Sequence, residues 1–180
     1  KINESKIFNI AVPTTAGSGA ESTKFATIWS KDENVKYSFE NPRLLPEVVY
    51  LNEKFSITLP YDITITTALD ALCHCLDSLW NRNLTSFALE NLTEGINLIL
   101  KSLPSIKNDL ENLDTRKNLL LASNKAGHAI NTTRTSLNHA ISYPLTNLYD
   151  LQHGLACAFS IPGIISLFEN DLKQIKEYEL

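Results

Sequence analysis

Two textures meet near Pro60. Before it, apolar residues come in short clusters rich in β-branched and aromatic side chains: Ile7–Val12, Phe25–Trp29 and Val48–Leu51. Each reads as a short strand, with a polar, Pro-containing segment around Lys36 and Asn41-Pro42 between the second and third. After Pro60, apolar residues recur every three or four positions: Ile65, Leu69, Leu72, Leu76 and Leu79, then Leu89, Leu92, Ile96, Ile99 and Leu103. That period predicts amphipathic helices, the second stopped by Pro104. Further helices are expected over 113–130, 135–142, 153–160 and 171–180, giving five or six joined by short turns. The chain is therefore expected to be mainly α, with a β-containing segment over 1–59 and a helical one over 60–180.

At 180 residues, with 43% apolar and 20% charged residues, the chain can bury one sizeable core. A formal charge of -4 offers no basic face for a phosphate backbone and argues against nucleic acid as a partner. The longest apolar run, Leu155–Phe168, is interrupted by Pro162 and Gly163 and falls short of the roughly 20 residues a membrane span needs. No secretory pattern opens the sequence, so a cytoplasmic location is expected. Cys73, Cys75 and Cys157 are an odd number without disulfide-framework spacing, and read as buried small apolar residues. Cys73 and Cys75 flank His74, but a helix turns them about 100° to either side of it.

Chemistry concentrates in two stretches, L-D-A-L-C-H-C-L-D at Leu69–Asp77 and N-H-A-I-S-Y-P-L-T-N-L-Y-D-L-Q-H-G-L-A-C-A at Asn138–Ala158. Asp70 and His74 stand four residues apart on one helix face, a spacing that can chelate one ion. Alone, the same pair could be a solvated carboxylate beside a satisfied histidine. His139 and His153 lie on either side of Pro144, which is expected to break the helix so that His139 closes one and His153 opens the next. Together the four make a three-histidine, one-carboxylate set suited to Fe²⁺ or Zn²⁺. With a further coordination position for a substrate oxygen, such an ion polarises a carbonyl, the chemistry of hydride transfer. The alternative is a closed, structural metal site in a non-catalytic module that ties helices together or assembles with another chain. A loop of small and hydroxyl residues, P-T-T-A-G-S-G-A-E-S-T at Pro13–Thr23, suits close approach of a phosphate or ribose, or is a plain connection.

With these motifs in this order, the chain resembles the iron-containing (group III) alcohol dehydrogenases over nearly its full length. The resemblance implies the helical metal-binding domain of the dehydroquinate synthase-like fold, preceded by the end of an α/β cofactor domain. It also implies a metal, iron or alternatively zinc, held by Asp70, His74, His139 and His153. Thr14, Thr15, Thr23 and Lys36 would face a nicotinamide dinucleotide, NAD(P)H, and Asp77 falls where the family usually has an acidic residue that can support a ligand. The implied activity is reduction of a small aldehyde, or oxidation of the alcohol, and a homodimer is open. Family members are about twice as long, with a phosphate loop in an N-terminal half. The chain is thus expected to be a fragment lacking that half and its C-terminal end, with weak or no activity alone.

Two features refine the resemblance. Where the family's usual H-x-x-x-H-P places another histidine, often credited with proton relay, this chain has Tyr143, a poorer relay because a phenol has an ordinary pKa of about 10. The S-Y-P-L-T segment, with K-Y-S near Lys36 and S-L-W-N near Trp80, is most similar to the phosphonate-associated branch of phosphonoacetaldehyde reductases. Arg134 is then the candidate for binding a phosphonate, since guanidinium offers a planar fork to such an oxyanion.

Overall fold

The computed structural model describes residues 8–30, 32 and 35–178, the side chains of 29, 35, 36 and 170–178 excepted. Six helices follow one another: α1 (Tyr61–Leu79), α2 (Ser86–Ile106), α3 (Leu113–Thr133), α4 (Leu137–Tyr149), α5 (His153–Ala158) and α6 (Ile161–Tyr178). Ahead of them lie four strands, β1 (Ile10–Ala11), β2 (Phe25–Ser30), β3 (Val35–Glu40) and β4 (Val48–Val49). β1 and β4 pair in parallel, Ile10 opposite Val48. β2 and β3 form an antiparallel ribbon running from Phe25 opposite Glu40 to Ser30 opposite Val35. Val-Lys-Tyr-Ser-Phe-Glu, expected to be a polar connection, is thus a strand, and its strict alternation is the pattern a half-exposed strand needs.

α1 is the axis against which α2, α3, α4 and α5 pack, and α2 and α3 pack on each other. Its buried face carries small residues, Ala68, Ala71, Cys73 and Cys75, all at most 1% exposed. Small side chains let neighbouring helices come close. One apolar cluster joins Ala71 and Cys75 to Ala88, Leu92, Ile99, Ala122, Ala126 and Ala129 between α1, α2 and α3. A second joins Ala68 to Ile106, Leu119, Leu120 and Ala16, the last from the loop after β1. That loop is clamped to α3: Gly19 sits at φ +57°, and an added Cβ there would lie 2.6 Å from the Cα of Gly127. Asn124 on α3 donates to Ser22 Oγ at 2.7 Å and Glu21 Oε1 at 3.1 Å. Buried Arg116 ties α3 to the start of α1, donating to Thr64 Oγ1 at 2.9 Å and the Leu59 carbonyl at 3.1 Å.

Three helix ends differ from expectation. α2 runs past Pro104 to Ile106, because a proline in the last turn removes only one N–H donor near an end that frays in any case. α4 likewise continues through Pro144 to Tyr149, so the break falls at Asp150, a left-handed residue at φ 53°. α6 begins at Ile161, not at Asp171: Pro162 lies in its first turn, where a missing N–H costs little and the fixed φ suits a helix start. Among the described residues, no helix is long and apolar enough to cross a membrane.

Candidate metal centre

Asp70 and His74 lie on adjacent turns of α1, both buried. His139 enters from the first turn of α4 and His153 from the first residue of α5. Their approach to α1 depends on Gly154: a Cβ there would meet the Thr66 carbonyl oxygen at 1.8 Å, so only glycine lets α5 lie this close.

The three predicted histidines converge on Asp70. The Nε2 atoms of His139, His74 and His153 lie 3.4, 3.8 and 3.8 Å from Asp70 Oδ1. The His74 and His139 rings stack at 4.6 Å, and His153 stands edge-on to His139 at 5.5 Å. Asp70 Oδ1 and His139 Nε2 are buried without a hydrogen-bond partner. Orphaned buried polar atoms are costly, on the order of 1–3 kcal/mol each, so a set of them facing one spot is suited to sharing a cation. Four donors at 2.0–2.1 Å from an ion in tetrahedral array stand about 3.4 Å apart, close to the separations here. The donor set fits a divalent metal.

His139 is held by Asp77, the acidic residue that the resemblance offered as support for a ligand. Asp77 Oδ2 lies 2.8 Å from His139 Nδ1, fixing the ring so that Nε2 faces Asp70. The same carboxylate accepts from the backbone N–H groups of Ser136 (2.8 Å), Asn138 (3.0 Å) and His139 (3.3 Å). It therefore caps α4 from α1, replacing the side chain of Ser136, which makes no capping bond. Trp80 Nε1 donates to Asp77 as well, at 3.3 Å.

The electrostatics follow from this arrangement. Burial opposes charge on Asp70, but the imidazoles of His74, His139 and His153 hold its carboxyl below the usual range. Asp77 is also lowered, by hydrogen bonds from His139 and the α4 amides that outweigh its burial. Burial brings His74 down to about 4, with Asp70 opposing. Burial acts the same way on His139, yet the neighbouring carboxylates of Asp70 and Asp77 prevail and raise it to about 11.

Cys157, read as apolar filler, lies one turn after His153 and reaches the same point. One donor from each of Asp70, His139, His153 and Cys157 lies within 4.8 Å of every other. The i, i+4 spacing of His153 and Cys157 was the available signal, the same as that of Asp70 and His74. Cys73 and Cys75 are buried on α1, and Cys75 belongs to the α1–α3 apolar cluster. Burial pushes the Cys75 thiol up to about 12 and Cys73 higher still.

A cleft of about 470 Å³ includes the centre, lined by Asp70, His74, His139 and His153 together with Thr23, Phe25, Arg134 and Tyr143 among others. Arg134, at the end of α3 with φ 69°, pairs with Glu40 and sits over the Phe25 ring at 5.5 Å. Thr14 and Thr15 are exposed on the loop before Gly19 and are not among the lining residues, whereas buried Thr23 is. The Lys36 side chain lies outside the described residues. His128, the fourth histidine, packs edge-on to Phe87 on α2, away from the centre.

A helical fold organised around such a centre matches a known family. Residues 64–178 match the Fe-containing alcohol dehydrogenase family, C-terminal, and residues 1–53 match iron-containing alcohol dehydrogenase. The chain belongs to the iron-containing alcohol dehydrogenase family. It is 36% identical over 156 residues to the phosphonoacetaldehyde reductase of Streptomyces viridochromogenes, covering 87% of this chain and 40% of that protein. The 1-propanol dehydrogenase of Citrobacter freundii is 30% identical, with 94% of this chain and 46% of that protein covered. The sulfoacetaldehyde reductase of Bifidobacterium kashiwanohense, solved in complex with NAD+, superposes with a TM-score of 0.84 at 27% identity, covering 88% of this chain and 42% of that one. An iron-containing alcohol dehydrogenase from Thermotoga maritima gives 0.81 at 28% identity, covering 89% of this chain and 44% of that one. The chain spans less than half the length of these relatives.

Proposed function

We propose that this chain is the metal-binding portion of a metal-dependent, NAD(P)-linked reductase of small aldehydes. The observation that carries the reading is the convergence of one carboxylate and three imidazoles, with Asp70 Oδ1 and His139 Nε2 orphaned, in the lining of a cleft. Asp70, His74, His139 and His153 would hold the ion, with iron favoured by the family and zinc equally suited to the donors. When bound, the ion supplies Lewis-acid polarisation of a carbonyl oxygen, and the nicotinamide supplies the hydride. The chain's own part is to orient, exclude water and move a proton. Asp77 fixes the His139 ring, Phe25 and Ile130 give the cleft dry wall, and Thr23 offers a hydroxyl to the dinucleotide from a clamped loop. Tyr143, on α4 one turn past His139, is the side chain we assign to proton relay. Residues 1–59 belong on this reading to the cofactor domain and 60–180 to the metal domain, with Thr14, Thr15 and Lys36 reaching the dinucleotide when both are complete.

The cleft also supports an anionic substrate. Arg134 is a cation on its wall, and a guanidinium with five donors keeps capacity for an oxyanion beyond its pairing with Glu40. Relatives named for phosphonoacetaldehyde and sulfoacetaldehyde carry such a group on a two-carbon aldehyde. In a protein of the family's full length, aldehyde-dependent NAD(P)H oxidation should need a stoichiometric divalent ion and should vanish in Asp70→Asn. Turnover that survives metal removal would overturn the reading. Arg134→Ala is expected to lower kcat/KM for phosphonoacetaldehyde by about 10–100-fold, the worth of one charge-assisted pair, while propanal use changes little. Equal losses for both would remove the anion-anchor role.

A further inference from the structure

We infer that Glu40 tempers the charge of Arg134 and so sets how tightly the cleft holds an anionic aldehyde, with Lys24 as its counterweight. The inference deepens the proposed function and rests on Arg134 being the anion anchor of that reading. Three charged side chains meet around one aromatic ring. Phe25 on β2 stands opposite Glu40 on β3. The Arg134 guanidinium carbon lies 5.5 Å from the Phe25 ring centre and Lys24 Nζ lies 5.7 Å from it. Glu40 is divided between the two cations: Oε2 accepts from Arg134 Nη2, and Oε1 lies 3.0 Å from Lys24 Nζ. Arg134 lines the cleft, whereas Glu40 and Lys24 do not. The carboxylate therefore acts on the guanidinium from outside the cleft wall and leaves it donors for a substrate.

The sign of the effect depends on whether Glu40 aims Arg134 or weakens it. Aim is supplied elsewhere. The Arg134 backbone sits at φ 69°, ψ 172°, a region ordinarily left to glycine. It is held there at both sides: the Arg134 N–H donates to the Ile130 carbonyl at 2.7 Å, and the Arg134 carbonyl accepts from Thr133 Oγ1 at 3.1 Å. With the Phe25 ring under the guanidinium, the side chain is fixed at root and head without Glu40. What the carboxylate adds is one negative charge against two positive ones. Such tempering suits a reaction whose aldehyde and alcohol carry the same oxyanion, because a tighter hold on both lowers KM without helping the hydride step.

Binding can be read on the 180-residue chain itself, with methylphosphonate as probe at fixed ionic strength and the Arg134 Nε–Hε signal in proton–nitrogen NMR spectra as readout. Glu40→Gln should lower Kd by roughly three- to tenfold, the effect of one unit charge about 6 Å away in a water-like dielectric. Lys24→Gln should raise Kd by a similar factor, and uncharged dimethyl methylphosphonate should not distinguish the variants. Opposite signs at the two positions mark an electrostatic role, since losing a brace would weaken binding in both. If both substitutions weaken methylphosphonate binding, or either leaves it unchanged, the tempering role falls and Arg134 remains the anchor. Absence of an Arg134 response in the parent chain and in both variants would remove anchor and tempering together. The readout needs neither metal nor turnover, so it can fail while the reductase reading stands, and the reverse.

Discussion

Asp77→Asn is expected to weaken metal binding by about 10–100-fold and to destabilise the metal-free fold at the same time. The two effects come from one carboxylate doing two jobs. Through Oδ2 it holds His139 Nδ1 at 2.8 Å, and through both oxygens it receives the first amides of α4. Asparagine preserves the volume but has one acceptor where the carboxylate has two. Its amide nitrogen must then face either the imidazole or a backbone N–H as donor against donor. The site is buried, Asp77 being 0% exposed, so water cannot repair the mismatch. The expected loss is about 2–3 kcal/mol, which in a domain of this size lowers Tm by roughly 5–10 °C. Thermal melts of the metal-free protein read the cap, and equilibrium dialysis with Zn²⁺ reads the imidazole. A fall in Tm with unchanged metal affinity would assign Asp77 to the helix cap alone.

That double role also marks the limit of what the sequence could show. The stripe through Ile65, Leu69, Leu72 and Leu76 makes α1 legible, and with it the shared face of Asp70 and His74. His139 and His153 were legible as partners because they bracket a turn between helices. The location of that turn was not, since Pro144 looks like a break while the chain bends at Asp150. A proline's local cost of about 3 kcal/mol is a propensity, and tertiary packing overrides it where α4 is held at its start by Asp77 and by its contacts with α1 and α5. β3 was hidden for a related reason: Lys36, Ser38 and Glu40 make the segment look polar, whereas every second residue, Val35, Tyr37 and Phe39, is apolar.

Cys157 was missed on chemistry, not periodicity. A buried cysteine on an apolar helix is ordinarily a small hydrophobe, and that reading suits Cys75, whose sulfur an added Cβ at Gly95 would meet at 2.9 Å. What separates Cys157 is the company of Asp70, His139 and His153, which α1, α4 and α5 bring together across more than eighty positions of chain. Burial pushes its thiol up, but the two neighbouring imidazoles outweigh this and bring it down to about 7. The i, i+4 spacing from His153 places Cys157 on the same face of α5, but no one-dimensional pattern brings that face to Asp70. That approach lies in the distance between two helices, and a glycine sets that distance.

Gly154→Ala should therefore abolish metal binding while leaving most of the helical content in place. The added Cβ would lie 1.8 Å from the Thr66 carbonyl oxygen, 2.8 Å from its carbon and 3.2 Å from Asp70 Cβ. The first is backbone in the middle of α1, which cannot rotate away as a long side chain would. α5 has to retreat by roughly 1.5 Å to recover an ordinary contact, and His153 and Cys157 retreat with it. Ligand bonds tolerate only about 0.2 Å of departure, so the His153 donor is lost by a methyl group that does not touch it. Overpacking of this kind costs about 1–3 kcal/mol, enough to lower Tm without unfolding the chain at 25 °C. Gly163→Ala is the matched comparison: a Cβ there meets nothing within 4 Å, inside α6, and alanine should be neutral or stabilise by up to about 1 kcal/mol. Circular dichroism and metal content measured on both variants separate the cases. If Gly154→Ala retains a full equivalent of zinc, α5 is free to yield without carrying His153 away, and the close packing of α5 on α1 is not what aligns the centre.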